Sequence, residues 1–443
     1  MSRLFGTDGV RGIANEYLTA ELAFKLGQAG ATVLSGGKGG GTFIIGKDTR
    51  ISCDMLEASL SAGICSVGSN VLQVGVVPTP TVAFLARALK AKGGVVISAS
   101  HNPAEYNGIK FFGPDGFKLP DDVEDEIEVT MNTSKELPVG PHLGRIERNP
   151  RAVDMYIDHV VNTVGGSLEG LKMAIDCGHG AAFQVSPSVF RQLGANVMAV
   201  NTKPNGTNIN FNCGSTYIDY IQEIVTTHDI DLGFAHDGDA DRVIAVDENG
   251  EVVDGDYIMA ICAAHMKETG SLPKHSIVTT VMANLGFDLA MKEYGVDVVK
   301  TRVGDRYVLE EMLKRGINIG GEQSGHIIFL DHNTTGDGII TALQLASVMV
   351  ESGKKLSELK QIMEKLPQVL VNVKVKDTHG WDEIPSIHEA MKKAEADLKD
   401  TGRVLVRPSG TEPLIRVMIE SKSSESAQAI ANSIAEIIKA ELG

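Results

Sequence analysis

The sequence predicts an α/β fold: three duplicated α/β domains with mainly parallel mixed sheets, then a smaller C-terminal α+β domain. Three observations carry this. A strand–helix–glycine–strand pattern occurs three times, its character changes after Leu366-Pro367, and 443 residues suffice for three or four domains at about 150 residues each.

The first copy of the pattern runs from residues 43–46 through a helix of mixed face to Gly68, then a strand at 70–75. The second runs from 173–176 to Gly194 and on to 196–200, and the third from 277–281 to Gly295 and on to 296–301. A glycine at that place is the usual left-handed stop of a helix. Apolar strands with little alternation, joined by helices, imply parallel βαβ units covered on both faces. Any α/β protein can show such units. Spacings of 126 residues (68 to 194) and 101 (194 to 295) favour duplicated domains over one sheet. Beyond Pro367, residues 369–377 alternate with period two, a helical stretch of 20 residues starts at Ile384, and two strands and a terminal helix follow. Separate strands and helices without βαβ order indicate α+β. The expected domains are 1–150, 151–255, 256–370 and 371–443.

Composition narrows the function. Hydrophobic residues at 43% and charged residues at 22% place the chain among globular proteins. A net charge of −16 argues against a nucleic-acid or anionic-membrane partner. No apolar run reaches the roughly 20 residues of a bilayer span, and the start of the sequence has no secretory apolar stretch. Five scattered cysteines without a CxxC pair argue against disulfides and zinc clusters and point to a reducing cytoplasm.

Four loops carry chemistry. In Asp237-Gly-Asp-Ala-Asp-Arg242, the carboxylates of Asp237, Asp239 and Asp241 stand at alternate positions and can converge on a hard cation such as Mg²⁺ or Ca²⁺. A calcium EF-hand loop competes, with Glu248 at its twelfth position. Arg242 stands at the sixth position instead of glycine, however, and strand rather than helix follows. A solvated acidic turn is the plain alternative, disfavoured because three aspartates repel unless something positive sits among them. In Ser98-Ala-Ser-His-Asn-Pro103, Ser100 lies past the end of an apolar strand, where open α/β folds place their chemistry; Ser-x-x-Pro is also an ordinary turn. From Arg407 to Arg416, two arginines, Ser409, Gly410 and Thr411 suit a phosphate cradle within an acidic chain, with a solvated turn as the plain alternative. Gly320-Gly-Glu-Gln-Ser-Gly-His326 offers Glu322, Ser324 and His326 to sugar hydroxyls or a proton. The stretch from Gly41 to Asp48 lacks the Ser/Thr of a Walker A loop, and that from Gly178 to Phe183 lacks the third glycine of a dinucleotide fingerprint. A cation, a serine, an anion cradle and a hydroxyl-binding loop without a nucleotide loop point to phosphoryl transfer on a phosphorylated polyol. The donor is then the substrate or the enzyme itself, and a phosphoserine at 100 meets that need.

These four motifs, in this order and over essentially the whole chain, resemble those of the α-D-phosphohexomutase superfamily. The opening FGTDGVRG, VGDRYV at 303–308 and GGEQSGHI are most similar to its amino-sugar branch. Phosphomannomutase/phosphoglucomutase relatives usually carry histidine near Asp305 and methionine at Gln323. The resemblance implies a heart-shaped molecule around a central cleft, with one Mg²⁺ per subunit held by Asp237, Asp239, Asp241 and a phosphoserine oxygen of Ser100. It implies interconversion of glucosamine 6-phosphate and glucosamine 1-phosphate through a sugar 1,6-bisphosphate, feeding UDP-N-acetylglucosamine and cell-wall precursors. Glu322 and Ser324 would grip sugar hydroxyls; Arg407, Ser409, Gly410, Thr411 and Arg416 would grip the non-reacting phosphate. Arg242 would hold the phosphoserine. Arg11, His101, Lys110 and His326 are candidates for proton traffic, with Lys110 and His101 ranked first. A homodimer, and an activating kinase or autophosphorylation as source of the first phosphate, complete the expectation. A mutase of the same fold acting on mannose or glucose phosphates is the alternative. A non-catalytic sugar-phosphate sensor is another, but it should have lost its nucleophile or a metal ligand, and Ser100 and the three aspartates are present.

Overall fold

In the computed structural model, which describes residues 3–6, 8–37, 39–133, 136–149, 151–409 and 413–443, each copy of the repeated pattern is a parallel strand pair joined by a helix. The first sheet holds β1 (Val10–Ile13), β2 (Thr42–Lys47), β3 (Asn70–Val76), β4 (Gly93–Ile97), β5 (Tyr106–Phe112) and β6 (Ile146–Arg148), in the order β1-β5-β4-β2-β3-β6. β2, β3, β4 and β6 run parallel, and β5 and β1 close one edge antiparallel. The second sheet holds β7 (Lys172–Asp176), β8 (Asn196–Val200), β9 (Leu232–His236), β10 (Val243–Asp247) and β11 (Val252–Val253), ordered β11-β10-β9-β7-β8. The third holds β12 (Ser276–Thr280), β13 (Asp297–Thr301), β14 (Ile319–Gly321) and β15 (Ile327–Phe329), ordered β13-β12-β14-β15. Gly68, Gly194 and Gly295 follow the three crossover helices with φ of 86°, 91° and 63°, a left-handed turn that a side chain would strain.

Both faces of the first sheet are covered, as non-alternating strands require. Phe43, Ile45, Val95 and Ile97 pack with Leu26, Leu56, Leu60 and Ile64 from the helices Ala20–Leu34 and Ser52–Ser66. On the other face, Ile44, Val96 and Phe112 meet Val82, Ala83 and Leu85 of the helix Thr79–Ala88. In the third sheet Val278 packs under Val308, Leu309 and Met312 of the helix Asp305–Arg315. Among the described residues, no helix is long and apolar enough to cross a membrane.

The chain divides into two compact units, residues 1–282 with 295–362, and residues 283–294 with 363–443. In the second unit, β16 (Gln368–Lys374), β17 (Gly402–Pro408) and β18 (Leu414–Ser421) form an antiparallel sheet with β18 in the centre. The period-two pattern explains it: Val404, Val406, Ile415, Val417 and Ile419 bury one face with Ile387, Ala431, Ile434 and Ile438 from the helices Pro385–Leu398 and Ser424–Leu442. The helix expected to run 20 residues from Ile384 stops after 14, at Leu398. Lys399 turns left-handed (φ 49°), and the chain reverses into β17 from Gly402.

The helices Ala20–Leu34 and Ser52–Ser66 meet at glycines. A Cβ on Gly63 would lie 2.1 Å from the Phe24 carbonyl oxygen. Replacing a mid-helix glycine by alanine ordinarily stabilises by about 0.5–1 kcal/mol. Gly63→Ala is expected to reverse that sign, destabilising by about 1–3 kcal/mol through overpacking, read as the shift of the urea midpoint at constant m-value.

Candidate active site

Ser100 stands just past the C-terminal end of the parallel strand β4, with its backbone in the left-handed region at φ 51°. Its Oγ donates to Asp237 Oδ2 at 2.6 Å and lies 3.3 Å from His101 Nδ1. Asp237, Asp239 and Asp241 occupy the loop between β9 and β10, all buried, and one oxygen from each lies within 4.8 Å of the others. Alternate positions in a tight loop, with only Gly238 and Ala240 between them, turn all three carboxylates toward one point.

The two halves of this acidic cluster differ. Asp239 Oδ2 accepts from Thr79 Oγ1 at 2.7 Å and from Lys110 Nζ at 2.9 Å. Asp239 Oδ1 and Asp241 Oδ1 are buried without a hydrogen-bond partner among the described residues. Burial, followed by the charges of Asp241 and Asp239, pushes the Asp237 carboxyl well above the usual carboxylate range. Buried anionic oxygens lacking donors, on an all-oxygen donor set, fit a divalent metal ion, whose charge would remove this repulsion.

Cations surround the cluster. Lys110, on β5, places Nζ 2.8 Å from Asp8 Oδ2 and 3.8 Å from Asp241 Oδ2 besides its bond to Asp239. Burial alone would lower its pKa, but Asp239 and Asp8 more than offset this and hold the ammonium well above its ordinary value. Arg11, on β1, donates to Asp8 Oδ2 (2.7 Å) and Asn102 Oδ1 (3.2 Å). The Arg242 backbone N–H reaches Asp237 Oδ1 at 3.3 Å, and its Nε lies 3.8 Å from Asp241 Oδ1. His326 is buried between Asp305 Oδ2 at 3.4 Å and Asp241 Oδ2 at 4.0 Å. Burial, then Arg242 and Arg11, lowers the pKa of His101 and favours its neutral imidazole.

Of the residues singled out by sequence, the first unit therefore brings together Ser100, His101, Arg11, Lys110, Asp237, Asp239, Asp241, Arg242 and His326. Glu322 lies in the turn from β14 to β15 and accepts from the Gly304 N–H at 3.1 Å; Ser324 in the same turn is exposed. Arg407, Ser409 and Arg416 belong to the second unit, where Arg407 and Arg416 are direct cross-strand partners. Like charges so placed repel, and burial followed by Arg416 lowers the pKa of Arg407. Arg416 Nε is buried without a hydrogen-bond partner among the described residues, as suits an anion-binding pair. Gly410 and Thr411 lie outside the described residues.

Sequence reasoning assigned no role to several residues that build the site. Asp8 joins Arg11, Lys110 and Lys118, and Lys118 Nζ spans Asp8 (2.7 Å) and Asp305 (2.5 Å). Burial would raise the Asp305 pKa, but the charges of Lys118 and then His326 outweigh both burial and the opposing charge of Asp8 and bring it down to about 2. Asp8 and Asp305 were visible inside FGTDGVRG and VGDRYV; nothing local marks Thr79 or Lys118. A hydroxyl aimed at a three-carboxylate cation site, within a ring of fixed positive charge, can pass a phosphoryl group to or from oxygen.

The chain matches four family descriptions in order. They are Phosphoglucomutase/phosphomannomutase alpha/beta/alpha domain I over residues 2–138, domain II over 154–250, domain III over 254–366, and the C-terminal domain over 370–437. It is 54% identical over 446 residues to a phosphoglucosamine mutase of Clostridium novyi (strain NT), covering 99% of each chain. It superposes with a TM-score of 0.83, at 22% identity, on a phosphoglucomutase/phosphomannomutase family protein from Burkholderia thailandensis, covering 100% of this chain and 99% of that one. It also superposes with a TM-score of 0.69, at 17% identity, on Aspergillus fumigatus N-acetylphosphoglucosamine mutase in complex with GlcNAc-6P and magnesium, covering 99% of this chain and 96% of that one. Fold and site thus define an isomerase that moves a phosphoryl group within a sugar phosphate, and the chain belongs to the phosphohexomutase family. Within that family, its full-length similarity is to the bacterial phosphoglucosamine mutases.

Adding Mg²⁺, Mn²⁺, Ca²⁺ or Zn²⁺ in turn to chelator-treated protein is expected to raise its unfolding temperature. Saturation at 100 times Kd stabilises by about 2.7 kcal/mol. Asp239→Asn and Asp241→Asn should each lose most of that metal-dependent rise, measured by differential scanning fluorimetry.

Proposed function

We propose that this protein interconverts glucosamine 6-phosphate and glucosamine 1-phosphate, with Ser100 carrying the phosphoryl group between turnovers. The single observation that carries the mechanism is Ser100 Oγ at 2.6 Å from Asp237 Oδ2, at the edge of the buried carboxylate triad. The amino-sugar substrate rests on relatives 53–55% identical over the whole chain that are named phosphoglucosamine mutase.

Phosphorylated Ser100 gives its phosphoryl group to the C1 hydroxyl of glucosamine 6-phosphate. The P–Oγ bond breaks, the P–O1 bond forms, and a 1,6-bisphosphate results. After the bisphosphate turns over, Ser100 Oγ takes back the 6-phosphoryl group and leaves glucosamine 1-phosphate. Asp237, Asp239, Asp241 and a phosphoserine oxygen would hold one Mg²⁺. A bound Mg²⁺ supplies neutralising charge for the phosphoryl oxygens during transfer.

The chain's own residues do the rest. Lys110, clamped between Asp239 and Asp8, and Arg11, tied to Asp8, bring fixed positive charge to the transferring group. His101, whose Nδ1 lies 3.3 Å from Ser100 Oγ, is within reach of the proton that the serine oxygen gains and loses. His326, whose Nε2 lies 3.4 Å from Asp305 Oδ2, is a second candidate for proton traffic. Arg242 holds phosphoserine oxygens, Glu322 and Ser324 grip sugar hydroxyls, and Arg407, Ser409, Gly410, Thr411 and Arg416 grip the non-reacting phosphate. Five free cysteines, four of them buried, support a reducing, cytoplasmic setting.

Intact mass should show an added phosphate of about 80 Da, ionised at neutral pH, that localises to Ser100 and disappears in Ser100→Ala. That variant is expected to keep its unfolding temperature and lose turnover by at least about a thousandfold; retained turnover would overturn the covalent route. A kcat/KM for glucosamine 6-phosphate below those for glucose and mannose 6-phosphates would move the substrate to the hydroxyl sugars.

A further inference from the structure

The Ser100 loop is held from two directions. Ser100 carries a left-handed backbone (φ 51°), a conformation that costs a non-glycine residue about 1–2 kcal/mol. Its N–H donates to Ser98 Oγ at 2.9 Å, and Ser98 Oγ donates to Asp48 Oδ2 at 2.6 Å. Asp48 also anchors Arg50 through its N–H (2.9 Å) and Nε (2.8 Å). Arg50 then reaches forward: Nη2 donates to the carbonyl oxygens of Ser100 and Asn102, both at 2.9 Å, and Nη1 donates to that of Pro103.

The second hold comes from the segment after β8. Asn210 Nδ2 donates to the same two carbonyl oxygens, Ser100 at 2.9 Å and Asn102 at 3.2 Å. Asn210 is itself left-handed (φ 58°), and its N–H donates to the Gly178 carbonyl at 2.9 Å. The metal-candidate loop closes the contact. A Cβ on Gly238 would lie 2.6 Å from the Ser100 carbonyl oxygen and 2.9 Å from Asn210 Nδ2. Gly238 is therefore bare where the Asn210 amide, the Ser100 backbone and the aspartate loop meet.

We infer that Asn210 is a positioning residue for the reaction: with Arg50 it holds the strained Ser100 peptide so that Oγ faces the aspartate triad. The inference rests on Ser100 as the phosphoryl carrier and names a residue beyond those that touch the transferred group. Asn210 Nδ2 spends its two hydrogens on the Ser100 and Asn102 carbonyl oxygens, so their loss should act on the step in which Oγ must be aligned. A displacement of order 1 Å at a reacting atom costs up to about a hundredfold in rate.

Asn210→Gly is the informative variant, because glycine accepts φ 58° without strain while removing both donors. Asn210→Asp, which also tolerates the left-handed region and keeps the shape but carries no donor, serves if the glycine variant folds poorly. The expected result is a kcat lower by about ten- to a hundredfold, a KM for glucosamine 6-phosphate within about twofold of wild type, and an unchanged unfolding temperature. The ³¹P resonance of the phosphoserine, recorded after charging with glucose 1,6-bisphosphate, should shift or broaden in the variant. Wild-type kcat with an unmoved ³¹P signal would overturn the role of Asn210. A fall in kcat matched by a fall in stability, with the ³¹P signal unmoved, would make Asn210 merely structural and overturn it too. A wild-type protein that neither turns over sugar phosphate nor accepts phosphate from the bisphosphate would instead overturn the carrier reading, and the inference with it.

Discussion

The centre of the first unit depends on one electrostatic constraint: three carboxylates converge within 4.8 Å in a buried loop. Two unit charges about 4 Å apart repel by about 4 kcal/mol even at an effective dielectric near 20. The loop between β9 and β10 tolerates this because positive groups come to it from other elements. Lys110 arrives from β5, and Thr79 supplies a hydroxyl at the start of the helix Thr79–Ala88. Asp8 then anchors Lys110, Arg11 and Lys118 together, so the charge pattern extends from β1 to the start of the helix Asp305–Arg315. The convergence of the carboxylates, the placement of Ser100 and the packing of these elements are one problem with one solution.

The parts of this arrangement that were legible in the sequence are those with a local signature. The three strand–helix–glycine–strand copies announce themselves because apolar strands and left-handed helix stops are properties of adjacent residues. Asp237, Asp239 and Asp241 are legible for the same reason, since three carboxylates within five positions are a property of adjacent residues. The supporting ion pairs and hydrogen bonds were not. Lys118 and Asp305 lie 187 residues apart, Thr79 and Asp239 lie 160 apart, and Asn210 and Ser100 lie 110 apart. No periodicity or motif encodes partners at such separations, so Lys118 reads as one more surface lysine until the fold buries it. The helix from Pro385 fell short of its expected length for a local reason, the left-handed Lys399, which nothing in its composition foretells.

The site also divides its labour by type of hold. Groups that would meet the transferred phosphate are charged and side-chain based, whereas Ser100 is placed through its own peptide by Ser98, Arg50 and Asn210. Backbone anchoring leaves the serine oxygen free for chemistry while fixing the direction in which it points. Asp48 ties two parts of that anchor together, because one carboxylate receives both the Ser98 hydroxyl and the Arg50 guanidinium.

The facing arginines of the second unit have a consequence of a different kind. Arg407 and Arg416 sit directly opposite each other on β17 and β18, in a sheet whose hydrogen bonds fix their separation. Folding this unit brings two guanidinium groups together against their mutual repulsion, and the apolar packing of the same strands supplies the driving force. An oxyanion arriving between them would relieve a tension that the protein assembled in advance. Its binding energy would then include that relief, and ligand and sheet would each make the other more stable.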